Sequence, residues 1–512
     1  MSEAAVSQPN LVVRSRGLLT AAIMLAVVMQ VLDTTIANVA LPHMRASLSA
    51  SQEEVSWILT SYIVASAIAT PLTGWFSDRF GRRNLLLFAV GGFTVASLLC
   101  GIATSLPQMV AYRVLQGICG AVLVPLAQAI MLDINPREKV GQAMAIFGAG
   151  IMVGPIIGPT LGGWLTESFN WRAVFLVNLP VGALAFAALL FSMPKEAIRK
   201  RPFDFFGFAM LGLAVAAAQL LLDRGESVSW FESWETWIYV GLAISGLWVF
   251  IIHCLTAKDP FVDLAMFKDR NFASGLIFIF IIGITTFSGL ALLPPLLQGL
   301  MGYPVMDTGI VMAPRGVGTM LSMLLVGRMV SKVDSRVLVL SGLAISAWSL
   351  WMMTQFDLNM GQGPIMLSGF LQGLGLGLVF VPLSALAFAT IAPHHRVDAT
   401  AMFSLVRNVG SGVGISLVTA VLARMTQINT AELAARVTLD AQPVRDMPGL
   451  VEGIPRVVAQ ISGLVQQQAA MIAYLDDFWL MVLVTLASAP IVLLLRKPSS
   501  AQKPDPAHAM AE

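Results

Sequence analysis

The chain has 512 residues, of which 57% are hydrophobic and only 12% charged, with a formal net charge of +2. Soluble domains carry about 25% charged residues, so a soluble globular protein is excluded. A transmembrane barrel is excluded too, because its strands would read as short alternating segments; here apolar runs of about twenty residues recur along the whole length.

Fourteen helical spans are predicted, with cores at 18–41, 55–75, 84–103, 107–132, 141–165, 173–193, 205–222, 237–255, 272–298, 306–329, 337–356, 364–390, 399–423 and 478–495. Arg14 and Arg16 before the first run resemble the start of a signal peptide. The run is too long for one, and a polar segment replaces a small-residue cleavage site, so it counts as span one.

Span one contains Asp33, with no cation near it in sequence. A carboxylate in hydrocarbon costs roughly 2.5 kcal/mol or more, so such a residue faces a partner or a water-filled cavity. Between spans two and three stands Gly74-x-x-x-Asp78-Arg79-x-Gly81-Arg82-Arg83, expected in a short loop. Its glycines let helix ends approach, and its charges can latch two helices in one conformation and release them in another. A positive anchor would need less specific spacing. Span four carries Arg113, followed by Gln116 and Gly117. Arg113 lies about six residues from the outer end of its run and Asp33 about nine, roughly 9 and 13 Å deep. An arginine side chain covers that difference, so the two are a candidate pair. The alternative is two separate residues facing a wet cavity.

Span five reads Gly148-x-Gly150-x-x-x-Gly154-Pro155-x-x-Gly158-Pro159-x-x-Gly162-Gly163. Small residues four apart make a groove for close helix packing, and the prolines remove backbone donors and bend the helix. This favours a gating helix over generic packing. Arg315 in span ten and Arg407 in span thirteen are further cations within spans, able either to bind an anionic substrate or to neutralise an acid. With Asn38, Gln116 and Gln372 they are the candidate substrate-cavity residues. Cys100, Cys119 and Cys254 lack metal-ligand spacing, and the five histidines form no ligand set, so no metal site is expected.

If the N-terminus is cytoplasmic, twenty-one Lys/Arg fall inside and seven outside, with three within spans, which accounts for all 31. That bias supports the span count and puts both termini in the cytoplasm. An internal repeat is readable. Leu115-Gln116-Gly117 recurs as Leu371-Gln372-Gly373 at an offset of 256, Val124-Pro125-Leu126 recurs as Val381-Pro382-Leu383 at 257, and Gly74 recurs as Gly327 at 253. The repeat places Gly369 where Arg113 would recur. Six spans fill only about 190 residues, so two spans are inserted between parallel-related halves. The predicted organisation is an N-terminus (1–17), a six-helix bundle (18–193), two linker helices (194–271), a second six-helix bundle (272–495) and a Pro/Ala/Lys-rich tail (496–512). The second bundle includes a periplasmic loop, 425–476, in which Ile461, Leu464, Val465, Gln468, Ile472 and Leu475 recur at helical spacing. They predict a short amphipathic helix that either caps the bundle or docks a partner.

Four of these stretches together resemble one family. LDTTIANVALP, GWFSDRFGRR, RVLQGICGA and GAGIMVGPIIGPTLGGW are similar to motifs of the major facilitator superfamily drug:proton antiporters. The fourteen spans, with Trp171, Arg172, Phe175, Asn178 and Pro180 in W-R-x-x-F-x-x-N-x-P, narrow the resemblance to the EmrB/QacA type. It implies the major facilitator fold, all-α with 6 + 2 + 6 transmembrane helices. It implies proton-coupled efflux of hydrophobic or amphipathic compounds across a bacterial inner membrane, driven by the proton gradient without a cofactor. Asp33 and Arg113 would couple protons, the Gly74–Arg83 stretch would switch conformation, and span five would mark an exporter. The long outer loop resembles EmrB and implies a periplasmic membrane-fusion adaptor and an outer-membrane channel as partners; nucleic acid is not expected. The second-half loop carries Ser331 where the first carries Asp78, which argues against a symmetrical latch. The rival readings are an exporter of one narrow physiological solute or lipid and, least favoured, a membrane enzyme or receptor, for which no catalytic cluster is visible.

Overall fold

A computed structural model of the chain describes residues 13–494, except 14, 137–138, 196–197, 199–201, 226–227, 229, 331 and 438–454. The predicted N-terminal segment 1–17 lies mostly outside the described residues, and the tail 496–512 and Ser331 lie wholly outside them. Among the described residues the regular structure is helical, with no strand. Thirteen helices are long and apolar enough to cross a membrane, and a bent pair completes fourteen.

The first bundle runs α1 (Arg16–Ser47), α2 (Gln52–Ala69), α3 (Leu72–Phe80), α4 (Arg82–Gly101), α5 (Leu106–Ala121), α6 (Leu123–Asp133), α7 (Val140–Ser168), α8 (Ala173–Leu176) and α9 (Asn178–Ser192). Ser51 and Glu54 form a reciprocal capping box at the start of α2, so two orphan amides of that turn are satisfied locally. Span two then breaks: α2 and α3 meet at 60°. Pro71 sits at the break and has no amide to continue the ladder. The stretch expected as a loop, Gly74–Phe80, is therefore the end of α3. The loop itself is reduced to Gly81, whose φ of +79° requires glycine.

The glycines of α7 face two ways. Gly154, Gly158 and Gly162 pack on Val31, Thr35 and Ile36 of α1, while Gly141 and Gly148 meet Val330, Met323 and Phe380 of the second half. Thr35 donates from Oγ1 to the Gly154 carbonyl at 3.3 Å. Pro155 and Pro159 lie inside this unbroken helix. Helix α7 is thus wedged between the span that carries Asp33 and the other half of the molecule.

Two linker spans follow, α10 (Phe205–Arg224) and α11 (Trp234–Thr256). Asp204 caps α10 through the Gly207 amide at 2.8 Å, accepts from the Phe261 amide at 2.9 Å and bonds His253 at 2.9 Å. Burial works against its charge, but these donors outweigh burial and hold the carboxyl below its ordinary range. Helix α11 packs on α10 through Gly246 and leaves Trp237, Ile244, Trp248 and Leu255 exposed, a lipid-facing surface at the edge of the fold.

The second bundle runs α12 (Arg270–Pro295), α13 (Val305–Met329), α14 (Ser335–Met353), α15 (Gln362–Ala389), α16 (Arg396–Arg436) and α17 (Pro455–Ser488). Here the structure corrects the sequence reading. Much of 425–476 is not loop: α16 continues to Arg436 and α17 already begins at Pro455. The predicted short helix is the leading part of α17 and is continuous with the last span. Its apolar stripe is not the buried face either, since Leu464 and Ile472 are exposed while Ala469 and Ala473 are buried. The reason is a partner helix: Asn429 of α16 donates to the Ala469 carbonyl at 3.5 Å, so small residues pack between two antiparallel helices. With 41 residues, α16 is about 62 Å long, roughly twice the hydrocarbon thickness of a bilayer.

The packing of α7 generates a paired prediction. A methyl group on Gly154 would fall 2.7 Å from Val31 and 3.0 Å from the Leu32 backbone nitrogen, whereas Gly163 has open space. Gly154→Ala is expected to destabilise the protein by about 1–3 kcal/mol and Gly163→Ala to be neutral or slightly stabilising. Thermal melts of the two purified variants read the difference; equal melting would refute the close approach of α7 to α1.

Candidate functional site

Arg113 and Asp33 meet in the middle of the first bundle. Arg113 Nη1 is 2.7 Å from Asp33 Oδ2, and the side chains are 0% and 1% exposed. Each charge has further partners. Arg113 donates through Nε to the Ile58 carbonyl at 3.1 Å and through Nη1 to Gln116 Oε1 at 2.7 Å. Its guanidinium lies 4.3 Å from the Tyr62 ring centroid, a cation–π contact. Asp33 Oδ1 accepts from Gln116 Nε2 at 2.9 Å and from Asn178 Nδ2 at 2.7 Å. Asn178 also donates to Ser97 Oγ at 2.9 Å, and Ser97 donates to the Phe175 carbonyl.

Local structure explains the convergence. Asn178 opens α9 at the α8–α9 break, which turns its amide inward. Arg113 and Gln116 are one turn apart on α5 and share a face. Spans one, two, three, four and six are thus joined through one ion pair. An apolar cluster of equal volume would be as stable or more so, because desolvating two charges costs several kcal/mol. Packing energy alone therefore does not explain the pair.

A second cluster joins the two halves. Asp133, 2% exposed at the end of α6, accepts from Arg82 at the start of α4 and from Arg396 at the start of α16. Nearby, Gly74 of α3 packs against the Asp398 side chain, which a Cβ at that position would displace. All these residues lie on the face where the Lys/Arg excess falls. Helices α7 and α13 also meet there, through Gly141 with Val330 and Ala145 with Gly327. The halves are held together at this basic face.

The structure brings Asp33, Arg113 and Gln116 together, and separately Arg82 and Gly74 with the second half. It does not add Arg79 or Arg83 to the inter-half contact: Arg79 is exposed, and Arg83 donates to the Leu190 carbonyl of its own bundle at 2.8 Å. Asp78 is half-buried in α3. Asn38 is exposed and stands apart from the Asp33 cluster. Arg315 and Gln372 are buried neighbours in the second bundle, where Arg315 Nη2 donates to the Thr286 carbonyl at 2.8 Å. Arg407 is half-buried on α16, and its Nε has no partner among the described residues. Sequence reasoning did not single out Tyr62, Ser97, Asn178, Asp133 or Arg396 as site residues. Asn178 had a signal in the W-R-x-x-F-x-x-N-x-P spacing, and Asp133 in closing an apolar run.

Two helical membrane bundles, the first built around a buried ion pair and joined to the second at one face, have the architecture of a membrane transporter. The chain belongs to the Major Facilitator Superfamily, whose family model matches residues 23–415, and within it to the EmrB type. It is 32% identical over 491 residues to the multidrug export protein EmrB of Escherichia coli K12, covering 94% of this chain and 96% of that protein. It is 33% identical over 485 residues to the fatty acid resistance protein FarB of Neisseria gonorrhoeae, covering 93% and 95%. The crystal structure of the human organic anion transporter MFSD10 superposes with a TM-score of 0.59 at 14% identity, covering 92% of this chain and 99% of that one, a likeness of fold.

Removing Asp133 tests the inter-half contact. Asp133→Asn leaves the Arg396 guanidinium buried without its carboxylate, an effect of about 3–5 kcal/mol. The expected outcome is a shift towards a form parted at the basic face. Spin labels at Lys139 and Arg328 would read it as a longer distance population in electron–electron resonance. An unchanged distance distribution would show that Asp133 does not hold the halves.

Proposed function

We propose that this protein exports hydrophobic or amphipathic compounds across a bacterial inner membrane in exchange for protons, with both termini cytoplasmic. The observation that carries the reading is the buried Asp33–Arg113 pair, a titratable carboxylate whose charged form is held by Arg113, Gln116 and Asn178. A proton arriving from outside neutralises Asp33 and ends its ionic attraction to Arg113. Arg113 keeps Gln116, the Ile58 carbonyl and the Tyr62 ring. The balance between spans one and four then changes, and α7, packed on α1 beside Asp33, carries the change to the second half. The Asp133 contact parts, the basic face opens, and substrate enters from the cytoplasmic side. Loss of the proton inward restores the pair and the closed basic face. The proton gradient is the driving force, and no cofactor takes part.

The charge bias of the loops supports the orientation. The names of EmrB and FarB support a small apolar or amphipathic substrate. FarB also supports a narrower reading, export of one lipid-like class. The helix extensions beyond spans thirteen and fourteen support assembly with a periplasmic adaptor and an outer-membrane channel, by offering a rigid surface outside the bilayer.

In proteoliposomes with an imposed pH gradient, Asp33→Asn is expected to reduce gradient-driven efflux to the passive leak. Transport at the wild-type rate in that variant would overturn the coupling role. A chemically mixed substrate panel separates the broad exporter from the narrow one: movement of a single class would select the latter.

A further inference from the structure

The second bundle holds a guanidinium and a glutamine amide converging as they do in the first, but without the carboxylate. Gln372 is the repeat counterpart of Gln116, and Gly369 that of Arg113. The space left by Gly369 is occupied from the neighbouring span, since a Cβ on Gly369 would lie 3.6 Å from Arg315 Cβ. Arg315 Nη1 and Gln372 Nε2 both approach Gly289 of α12, at 3.2 and 3.4 Å from where its Cβ would stand. The repeat offsets of 253 to 257 carry position 33 onto Thr286–Leu290, and none of those five residues is acidic. Across α12, α13 and α15 the single acid is Asp307, eight residues from Arg315 and so about 12 Å along the helix.

Both side chains are out of water: Arg315 is 6% exposed and Gln372 5%. Arg315 Nη1 and Gln372 Oε1 have no hydrogen-bond partner among the described residues. A buried guanidinium held by one backbone carbonyl is strongly unfavourable unless an anion joins it. The place lies beside the helix that runs between the two halves. Gly316, the next residue, packs directly on Ile156 of α7, the helix between the halves.

We infer that Arg315 and Gln372 form a carboxylate-binding subsite that takes the head group of an amphipathic monocarboxylate substrate. One guanidinium and one neutral amide match a single planar negative group, with Arg315 Nη1 and Gln372 Nε2 donating to its oxygens. A divalent head such as a phosphate monoester would be left with uncompensated charge. The apolar spans around the pair suit the tail. This inference rests on the export reading but concerns the substrate alone.

The test is equilibrium binding to the full chain in nanodiscs with no gradient, followed by intrinsic tryptophan fluorescence, with decanoate and its neutral analogue decanamide as probes. Because no proton flux is involved, a failure of proton coupling leaves this readout intact, and a failure here leaves coupling untouched. The wild-type protein is expected to bind decanoate about tenfold or more tightly than decanamide, the range of one charge-assisted contact. Arg315→Gln is expected to erase that preference while leaving decanamide affinity within about twofold, and Arg315→Lys to retain part of it. Equal binding of the two probes by the wild-type protein, or no decanoate binding, overturns the subsite even if no variant folds. So does an Arg315→Gln protein that keeps the preference, or one that weakens both probes equally.

Discussion

The ion pair between Asp33 and Arg113 sets the terms for the first bundle. Two charges at 1% exposure or less are tolerated because nearly every polar atom around them is used. The carboxylate takes three donors, and the guanidinium donates through Nη1 to Asp33 and Gln116 and through Nε to a carbonyl, lies against an aromatic face, and leaves only Nη2 without a hydrogen-bond partner among the described residues. Five of the first six spans contribute directly. A change in the protonation of one atom therefore changes the balance among spans far apart in sequence. A network satisfied in one charge state is necessarily less so in the other.

The second constraint is how the halves touch. Asp133 is shared between Arg82 of its own bundle and Arg396 of the other. In the proposed opening Asp133 would keep Arg82, so the carboxylate would not be left alone in either arrangement. Helix α7 supplies the mechanical link, with three glycines on α1 and others on the second half. The glycines let side chains of α1 and of the second half approach the α7 backbone closely, so α7 is in intimate contact with both.

Much of this was legible in the sequence because charge in hydrocarbon is conspicuous. Asp33 and Arg113 stood out by cost and matched by depth, and the repeat showed that Arg113 had no copy at Gly369. What was not legible was neutral or terminal. Asn178, Ser97 and Tyr62 carry no penalty that would draw attention to them, and their inward orientation depends on helix breaks such as Val177. Asp133 and Arg396 each read as an ordinary charge at a span's end, and only the fold brings them together across 263 residues. The break at Pro71 was hidden inside a continuous apolar run. The extension of α16 was hidden for the opposite reason, its polar composition; that of α17 was legible as a helix, but neither its continuity with the last span nor its packing on α16 through Ala469 was.

The length of α16 has a mechanical consequence. One unbroken helix starts at Arg396, which holds the other half, and ends at Arg436, far beyond the thickness of a bilayer. Bracing by α17 makes it a stiff rod. A rocking motion that separates Arg396 from Asp133 by a few ångströms must swing the far end in the opposite sense, through an arc scaled by the ratio of its distances from the pivot. In the proposed cycle α16 would therefore serve as a lever: the opening of a contact on one side of the membrane would be delivered, enlarged, as a displacement on the other.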